Sequence, residues 1–257
     1  DNNSTDRSLE IIKSYNDQRI NIYKSKNLIP LYEARNRALN LCKGDFISFL
    51  DVDDFWHTDF LKKRENFYNQ EIKMFSYSNW NFLFERKKKV VPSKEKIFSG
   101  MIFDELSKNY VVKISGLIIN KKIFQLITEK FNPKYSIIGD FDLVMKMALK
   151  FEAECIDENL VTIRIHKNNF SNLNRELHYK EYQDWYSSLN FQNMIINKNL
   201  KYFKEKLSYL KIIYFLISGK KLKSINEIFN YPNNLKKIKL LTIFLIPNIL
   251  IKKLLEK

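Results

Sequence analysis

Hydrophobic and polar positions alternate between two spacings over the first two thirds of this chain. Apolar residues recur at helical spacing in segments 8–15 and 31–41, whereas short strand-like runs occupy 20–23 and 46–50. The first spacing is typical of amphipathic helices and the second of buried strands. Alternation of the two predicts a doubly wound α/β fold.

The same spacings continue as far as residue 165. The further expected elements are helices at 59–69, 121–130 and 140–150, a pair of strands within 73–84 around Ser76 to Asn79, and strands at 111–120 and 160–165. Gly44 is expected to end the helix 31–41, because glycine commonly terminates helices. The basic segment 86–89 is expected to be a solvated turn.

Beyond residue 171 the alternation stops, and long stretches of Lys, Asn, Leu and Ile follow. Helices are expected at 177–194 and 201–217. We therefore predict two regions, an α/β domain over residues 1–171 and a helical, basic region over residues 172–257.

The apolar run 240–251 near the end of the chain is too short to span a membrane, which requires about 20 apolar residues. Pro247 interrupts the run, and lysines flank it on both sides. Such a segment either lies in a membrane interface or packs against the domain as an ordinary amphipathic helix. The pattern alone leaves both alternatives open.

Composition narrows the functional classes. A chain of 257 residues with 45% hydrophobic content is a folded globular protein, and its net charge of +15 predicts an anionic partner. Cys42 and Cys155 have no metal-ligand or disulfide spacing, so we expect small buried hydrophobic residues in a reducing compartment. Phosphate-binding glycine loops are absent from the sequence. The first residue is Asp rather than Met, so we expect an N-terminally truncated fragment.

The segment DFISFLDVDDFW at 45–56 is the strongest indication of chemistry. A strand-like run ends there in Asp51, Asp53 and Asp54. Ligands of open α/β sheets bind beyond the carboxyl ends of strands, and three neighbouring carboxylates repel one another unless a cation neutralises them. A divalent metal with a phosphorylated ligand is therefore expected here. Alternatively, one Asp caps the next helix and the others are solvated.

Several segments occur in the order found in family 2 glycosyltransferases. They are DNNSTDRS at 1–8, LYEARNRALNLCKGDFISFLDVDDFW at 31–56, IIGDFDL at 137–143 and RIHKNNFS at 164–171. The chain resembles these enzymes over about residues 1–171. The resemblance implies an α/β GT-A, Rossmann-like nucleotide-diphospho-sugar transferase fold with a C-terminal helical extension, of which this chain lacks the first strand.

The resemblance also implies an activity. It would be transfer of a sugar from a nucleotide-diphosphate donor, first of all a UDP-sugar, to a glycan or lipid-linked acceptor, with inversion at the anomeric carbon. Members of the family assemble bacterial surface polysaccharide or lipopolysaccharide. We therefore expect a cytoplasmic protein at the inner face of the cytoplasmic membrane, attached to anionic lipid through its basic C-terminal region.

Site residues follow from the same resemblance. Asp51 and Asp53 would form the DxD motif, which holds Mn²⁺ or Mg²⁺ and through it the donor diphosphate. Asp54 would contact the sugar hydroxyls or the metal shell, or cap the following helix. Asp140 would be the general base that takes the proton of the acceptor hydroxyl, whereas Asp142 would complement the dipole of its helix.

Further residues would contact the nucleotide. The resemblance implies that Asp1 binds the base and ribose, although Asn2 stands where many relatives carry a second Asp. Arg35 would bind phosphate through forked hydrogen bonds. Arg164 would lie close to the diphosphate, and His166 would complete the metal or phosphate shell.

Other functions compete with this interpretation. A strand followed by DxD also begins haloacid dehalogenase-type phosphatases, in which Asp51 would be the nucleophile. The positive charge and the aromatic residues would suit a non-enzymatic nucleic-acid-binding protein. Because most aromatic residues lie inside apolar runs, we expect no nucleic-acid partner. A third alternative is a transferase-like domain without activity.

Overall fold

The computed structural model describes residues 1–69, 72–127, 130–189, 194–232, 234–247 and 250–251. The strands are β1 (Phe46–Ser48), β2 (Phe55–Trp56), β3 (Lys73–Phe84), β4 (Lys89–Pro92), β5 (Leu117–Asn120) and β6 (Glu152–Ile165). The helices are α1 (Ser8–Ser14), α2 (Leu31–Leu41), α3 (Glu65–Tyr68), α4 (Phe103–Lys108), α5 (Ile123–Leu126), α6 (Gly139–Ala148), α7 (Phe170–Leu173), α8 (Arg175–Ser188), α9 (Met194–Ile217), α10 (Lys221–Phe229) and α11 (Asn234–Leu245). Single 3₁₀ turns occupy Lys62–Arg64, Glu85–Lys87 and Ile114–Gly116.

Within these ranges the strands form one mixed sheet in the order β1-β5-β3-β6-β2, with β4 on the far part of β3. The central strands β3 and β6 are parallel, with Tyr77 opposite Cys155, and the remaining pairs are antiparallel. Antiparallel β2 pairs with the last part of β6, so that Phe55 lies opposite Thr162. This pairing brings the loop before β2 to the carboxyl end of β6.

The expected pair of strands within 73–84 is wrong, because β3 is one continuous strand. Ser76, Ser78 and Asn79 suggested a turn, yet all are buried in the middle of the sheet. Asn79 donates a side-chain hydrogen bond of 2.7 Å to Asp157. Among the described residues, the hydroxyls of Ser76 and Ser78 are buried without a hydrogen-bond partner. Polar residues therefore lie at the centre of the sheet here and do not mark a turn.

Other sequence expectations are also corrected. Residues 20–23 are not a strand, because no described strand pairs with them. The helix expected at 59–69 contracts to a 3₁₀ turn and the short α3. Helix α2 ends at Leu41 because Cys42 adopts an extended backbone, and Gly44 lacks the positive φ of a glycine cap.

Further element boundaries and the cysteines differ from expectation. The helix expected at 121–130 is described only as α5, with residues 128 and 129 outside the described part. The first half of the strand expected at 111–120 is irregular, and β6 begins eight residues earlier than residue 160. Both cysteines are half-buried rather than buried.

Two apolar clusters organise the described residues. The larger one surrounds the sheet and extends into the C-terminal helices, where the Phe203 ring of α9 packs 5.9 Å from that of Phe141. The second cluster joins the later part of α9 to α10 and α11, from Ile212 to Ile251. Among the described helices, none has both the length and the apolar character required to cross a bilayer. Packing therefore continues past residue 171, and the predicted domain boundary there stays a prediction.

Candidate active site

The candidate site lies where strands of the sheet end. The acidic loop 51–54 connects β1 to β2, and Arg164 and His166 follow at the end of β6. The main-chain N–H of Arg164 donates to the Asp54 carboxylate at 3.1 Å, and its Nε donates to the Asp53 carbonyl at 3.2 Å. Because β2 pairs with β6, two sequence segments separated by more than 100 residues form one site.

Asp53 contacts His166, which the sequence analysis placed beside it in the shell of the metal or phosphate. Its Oδ2 lies 2.9 Å from Nε2 of His166. Asn169, which sequence reasoning missed, lies 3.4 Å from the same carboxylate oxygen and also accepts the His166 main-chain N–H at 2.7 Å. Asn169 belongs to the segment 164–171, so the family motif could have indicated it as a site residue. Asn169 fixes the loop that carries the imidazole.

Asp54 has structural contacts. Its Oδ2 accepts a 2.6 Å hydrogen bond from the Ser115 hydroxyl. Ser115 is fully buried; its hydroxyl also accepts the Asp51 N–H at 3.2 Å, and its carbonyl accepts the Trp56 indole N–H at 2.7 Å. Burial raises the pKa of Asp54 to about 6, although the bonds from Ser115 and Arg164 oppose this rise. The helix-cap alternative for Asp54 is wrong, because strand β2 follows it.

Asp51 pairs with the arginine expected to contact phosphate. The Arg35 guanidinium on α2 lies 2.5 Å from Asp51 Oδ1. Its carbon also lies 5.4 Å from the centre of the Tyr32 ring and 5.8 Å from that of Phe49, with cation–π geometry. Arg35 is buried and Asp51 is half-exposed. Arg35 is therefore held in the site, rather than forming a salt bridge on an exposed helix surface.

Asp140 lies in the first turn of α6, half-buried and opposite the acidic loop. Its Oδ1 accepts the Phe141 N–H at 2.9 Å and lies 3.4 Å from the Tyr32 hydroxyl. Burial raises the pKa of Asp140, and the positive charges of Arg35 and Lys113 oppose that rise. The Asp140 carboxylate thus interacts with the charge of Arg35, although it lies on α6 and not in the acidic loop.

The loop before Asp140 is anchored by a residue that sequence reasoning missed. The buried carboxylate of Glu181 on α8 accepts the main-chain N–H groups of Ser136, Ile137 and Ile138 at 2.7, 2.9 and 3.1 Å. On a helix with other charged residues, Glu181 gave no signal of burial. Its contacts hold the loop that leads into α6, whose second residue is Asp140.

Asp142 is not interchangeable with Asp140. It is buried, accepts the Trp185 indole N–H at 3.1 Å and pairs with Lys146 at 2.8 Å. Both acids lie in the first turn of α6, where negative charge is favourable. Asp142 therefore joins α6 to α8, whereas Asp140 faces the acidic loop.

Asp1 lines an open cleft of about 790 Å³ beside Arg35. The cleft is lined by polar and basic side chains and by one face of α2, including Asn2, Arg19, Asn21, Tyr23, Lys24, Ser25, Ala34, Arg37 and Ala38. Oδ1 of Asp1 accepts the Ser4 N–H at 3.2 Å, and Oδ2 is buried without a partner. A cleft of this size next to a guanidinium suits a nucleotide.

The donor atoms of the acidic loop fit a hard divalent ion with few protein ligands. Asp53 and His166 already lie within 2.9 Å of each other, while Asp51 is engaged by Arg35. In the part of the chain that the structure describes, no three His, Cys, Asp or Glu side chains converge as a complete metal site. An ion here would take its other ligands from phosphate oxygens and water, as Mg²⁺ commonly does.

The mixed sheet and the helices that follow it form a fold of the GT-A type. Residues 1–125 match the model of the family described as "Glycosyl transferase family 2". These residues, just under half of the chain, are similar to glycosyl transferase family 2. The family match favours a transferase over the phosphatase and the nucleic-acid-binding protein considered above.

Known proteins similar to this chain include two curated relatives. It is 40% identical over 80 residues to the UDP-Glc:alpha-D-GlcNAc-diphosphoundecaprenol beta-1,3-glucosyltransferase WfaP of Escherichia coli, covering 31% of this chain and 32% of that protein. It is 28% identical over 222 residues to an uncharacterized glycosyltransferase of Haemophilus influenzae, covering 84% of this chain and 80% of that one. The chain thus spans about a third of the first relative.

Among solved structures, the fold is similar to that of S. aureus TarS 1–349, with a TM-score of 0.53 and 17% identity. The match covers 95% of this chain and 59% of that one. The same protein in complex with UDP-GlcNAc matches with a TM-score of 0.52 and 16% identity, over 95% of this chain and 61% of that one. At such identities the likeness establishes the fold.

Proposed function

We propose that this protein transfers a sugar from a UDP-sugar to a hydroxyl of a glycan or lipid-linked acceptor, with inversion. One observation carries the proposal: Asp51, Asp53 and His166 gather at the strand ends beside Arg35, and Asp140 faces them from α6. The family match supports sugar transfer. The name of the E. coli relative, with a UDP-glucose donor and a lipid diphosphate acceptor, supports the donor and acceptor classes.

The proposed chemistry assigns each group a task. The acceptor oxygen bonds to the anomeric carbon as the bond from that carbon to the diphosphate breaks, and the diphosphate leaves with the electron pair. Asp140 takes the acceptor proton, and its raised pKa makes it a stronger base than an exposed carboxylate. Arg35 and Arg164 supply positive charge near the leaving phosphates.

Mn²⁺ or Mg²⁺ is part of the proposal. Asp51, Asp53 and His166 would hold the ion, which when bound supplies positive charge that stabilises the leaving diphosphate. Asp1, with Arg35 at the edge of the same cleft, would bind the nucleotide. Asp54 would shape the loop that meets the donor sugar, since its carboxylate ties that loop to Ser115.

We also propose that the C-terminal region attaches the protein to the anionic inner face of the cytoplasmic membrane. On α11, Leu235 is 82% exposed and Leu245 is 79% exposed, although Leu240 on the same helix is buried. Lysines flank these leucines in the sequence, and the whole chain carries a charge of +15. An apolar face bordered by lysines complements an anionic lipid surface. A membrane site would suit assembly of bacterial surface polysaccharide on a lipid carrier.

A screen of UDP-sugars on the full-length protein with Mn²⁺ tests the proposed activity. Asp140→Asn should still bind the donor, while transfer falls by a factor of roughly 100 or more, as expected when a general base is lost. Asp53→Ala should lose metal-dependent donor binding. The exposed Asp45, at the opposite end of β1, supplies the control Asp45→Asn. Equal turnover by all three variants would refute the site assignment.

A further inference from the structure

Among the described residues, two lysines near the start of α6 have no carboxylate partner. Lys113 precedes the turn Ile114–Gly116, and its ammonium lies 4.9 Å from the centre of the Trp80 ring. The ammonium of Lys206 on α9 lies 4.3 Å from the centre of the Tyr182 ring and 3.3 Å from its hydroxyl. In the described part of the chain, neither lysine forms an ion pair with a carboxylate within 4 Å.

Lys113 acts on the charge of Asp140, and Lys206 packs against Phe141, the residue that follows Asp140. Lys206 lies 5.4 Å from the ring of Phe141, whose N–H binds the Asp140 carboxylate. Burial lowers the pKa of Lys113, and the Asp140 charge opposes this effect. Burial lowers the pKa of Lys206 to about 8, and the positive charge of Lys113 lowers it further. The two ammonium groups are therefore half-buried neighbours that repel one another.

Nearby carboxylates are engaged elsewhere. The negative charges of Asp54 and Glu95 also raise the pKa of Lys113, against the effect of burial. Asp54 accepts hydrogen bonds from Ser115 and from the main chain of Arg164, and Glu95 accepts a 2.8 Å bond from Asn109. Asp140 would be occupied by the acceptor hydroxyl during transfer. Within the described part of the chain, the half-buried ammonium groups of Lys113 and Lys206 thus have no carboxylate that pairs with them alone.

We propose that Lys113 and Lys206 bind a phosphate or diphosphate group of the acceptor and thereby bring its sugar hydroxyl to Asp140. This inference rests on the proposed function and names the acceptor class of the same site. Two ammonium groups match the charge of a diphosphate and bind it as point charges. Arg35, whose positive charge also acts on Asp140, is already paired with Asp51.

Calorimetric titration with butyl diphosphate tests this inference on the full-length protein saturated with UDP, which blocks the donor site. The wild-type protein should bind the probe, and Lys113→Gln and Lys206→Gln should each weaken binding about tenfold, because each removes a charge-assisted contact. Lys113→Arg should retain part of the affinity. The control is Lys96→Gln, which removes an exposed lysine that lies 5.2 Å from the Phe98 ring, and it should bind like wild type.

Several outcomes would overturn the inference. They are absence of probe binding to the UDP-saturated protein, binding by both glutamine variants as tight as that of wild type, and wild-type binding of methyl glucuronide, which carries a carboxylate instead, as tight as that of butyl diphosphate. If Lys206→Gln does not fold, Lys113→Gln decides alone. UDP binding is measured first in every variant. Absence of UDP binding in wild type would contradict the proposed function, whereas intact UDP binding without an effect of the lysines contradicts this inference only.

Discussion

At the scale of single residues, the acids singled out from the sequence have different surroundings in the structure. Asp53 meets His166, Asp51 meets Arg35, and Asp54 is held by Ser115. The residue types could be predicted because carboxylates at a strand end indicate cation or phosphate chemistry. The partners could not, since Ser115 lies 61 residues from Asp54 in a segment without a motif.

A substitution beside Asp140 tests how closely α2 must approach α6. A Cβ atom added at Gly139 would lie 2.5 Å from carbon atoms of the Tyr32 ring. Gly139→Ala should therefore displace this ring and destabilise the protein by about 1–3 kcal/mol, as overpacking does. Because Tyr32 adjoins Asp140, transfer should fall by more than UDP binding.

Urea unfolding and initial rates measure these effects. Gly44→Ala serves as the control, since an added Cβ there would meet its nearest neighbour at an ordinary 3.5 Å. Wild-type stability and rate in Gly139→Ala would contradict the packing account.

At the scale of elements, predictions held best where the periodicity was uninterrupted. Helix α2 has the predicted limits, and α1 and α6 are close to theirs. Expectations failed where tertiary context decides. Strand β3 continues through polar residues that are buried in the sheet, of which Asn79 is paired with Asp157, and residues 20–23 have no described partner strand. Short elements depend on neighbours that a local pattern does not reveal.

The contact between α8 and the loop before α6 gives a prediction at this scale. Glu181→Gln replaces a carboxylate that accepts three N–H groups with an amide of lower acceptor capacity. The loop should loosen, with a loss of about 1–3 kcal/mol in stability. The turnover number should fall while the dissociation constant for UDP stays within about twofold.

Steady-state kinetics and calorimetry separate these two effects. Glu176→Gln on the same helix provides a matched change away from the loop. An equal decrease in UDP affinity and turnover would show that Glu181 does not act through Asp140.

At the scale of the whole molecule, the sequence predicted an α/β transferase domain followed by a basic helical region, and the GT-A fold is confirmed. The division at residue 171 marks a change of element type, whereas the apolar core extends to Leu207 on α9. The second cluster, from Ile212 onward, includes Leu240 of α11, the helix that also bears the exposed Leu235 and Leu245. Periodicity identifies helices, but it does not reveal which of them pack on the sheet.

Flotation with lipid vesicles tests the proposed membrane surface. The full-length protein should float with vesicles of phosphatidylglycerol and less with phosphatidylcholine, because each lysine near an anionic surface contributes about 1 kcal/mol. Leu235→Ser together with Lys239→Glu should reduce flotation markedly. Lys87→Glu, in the turn between β3 and β4, should leave it unchanged. Equal flotation of both variants, or equal binding to neutral vesicles, would exclude α11 as the attachment site.

The central claim is that the aspartates at the strand end hold the donor diphosphate through a divalent ion. Calorimetric titration of the full-length protein with UDP, in Mn²⁺ and in chelator, tests it most directly. We predict binding at least about tenfold tighter with Mn²⁺ in wild type, and no effect of Mn²⁺ in Asp53→Ala. UDP affinity that is independent of the metal in wild type, or a full metal effect in Asp53→Ala, would contradict the account.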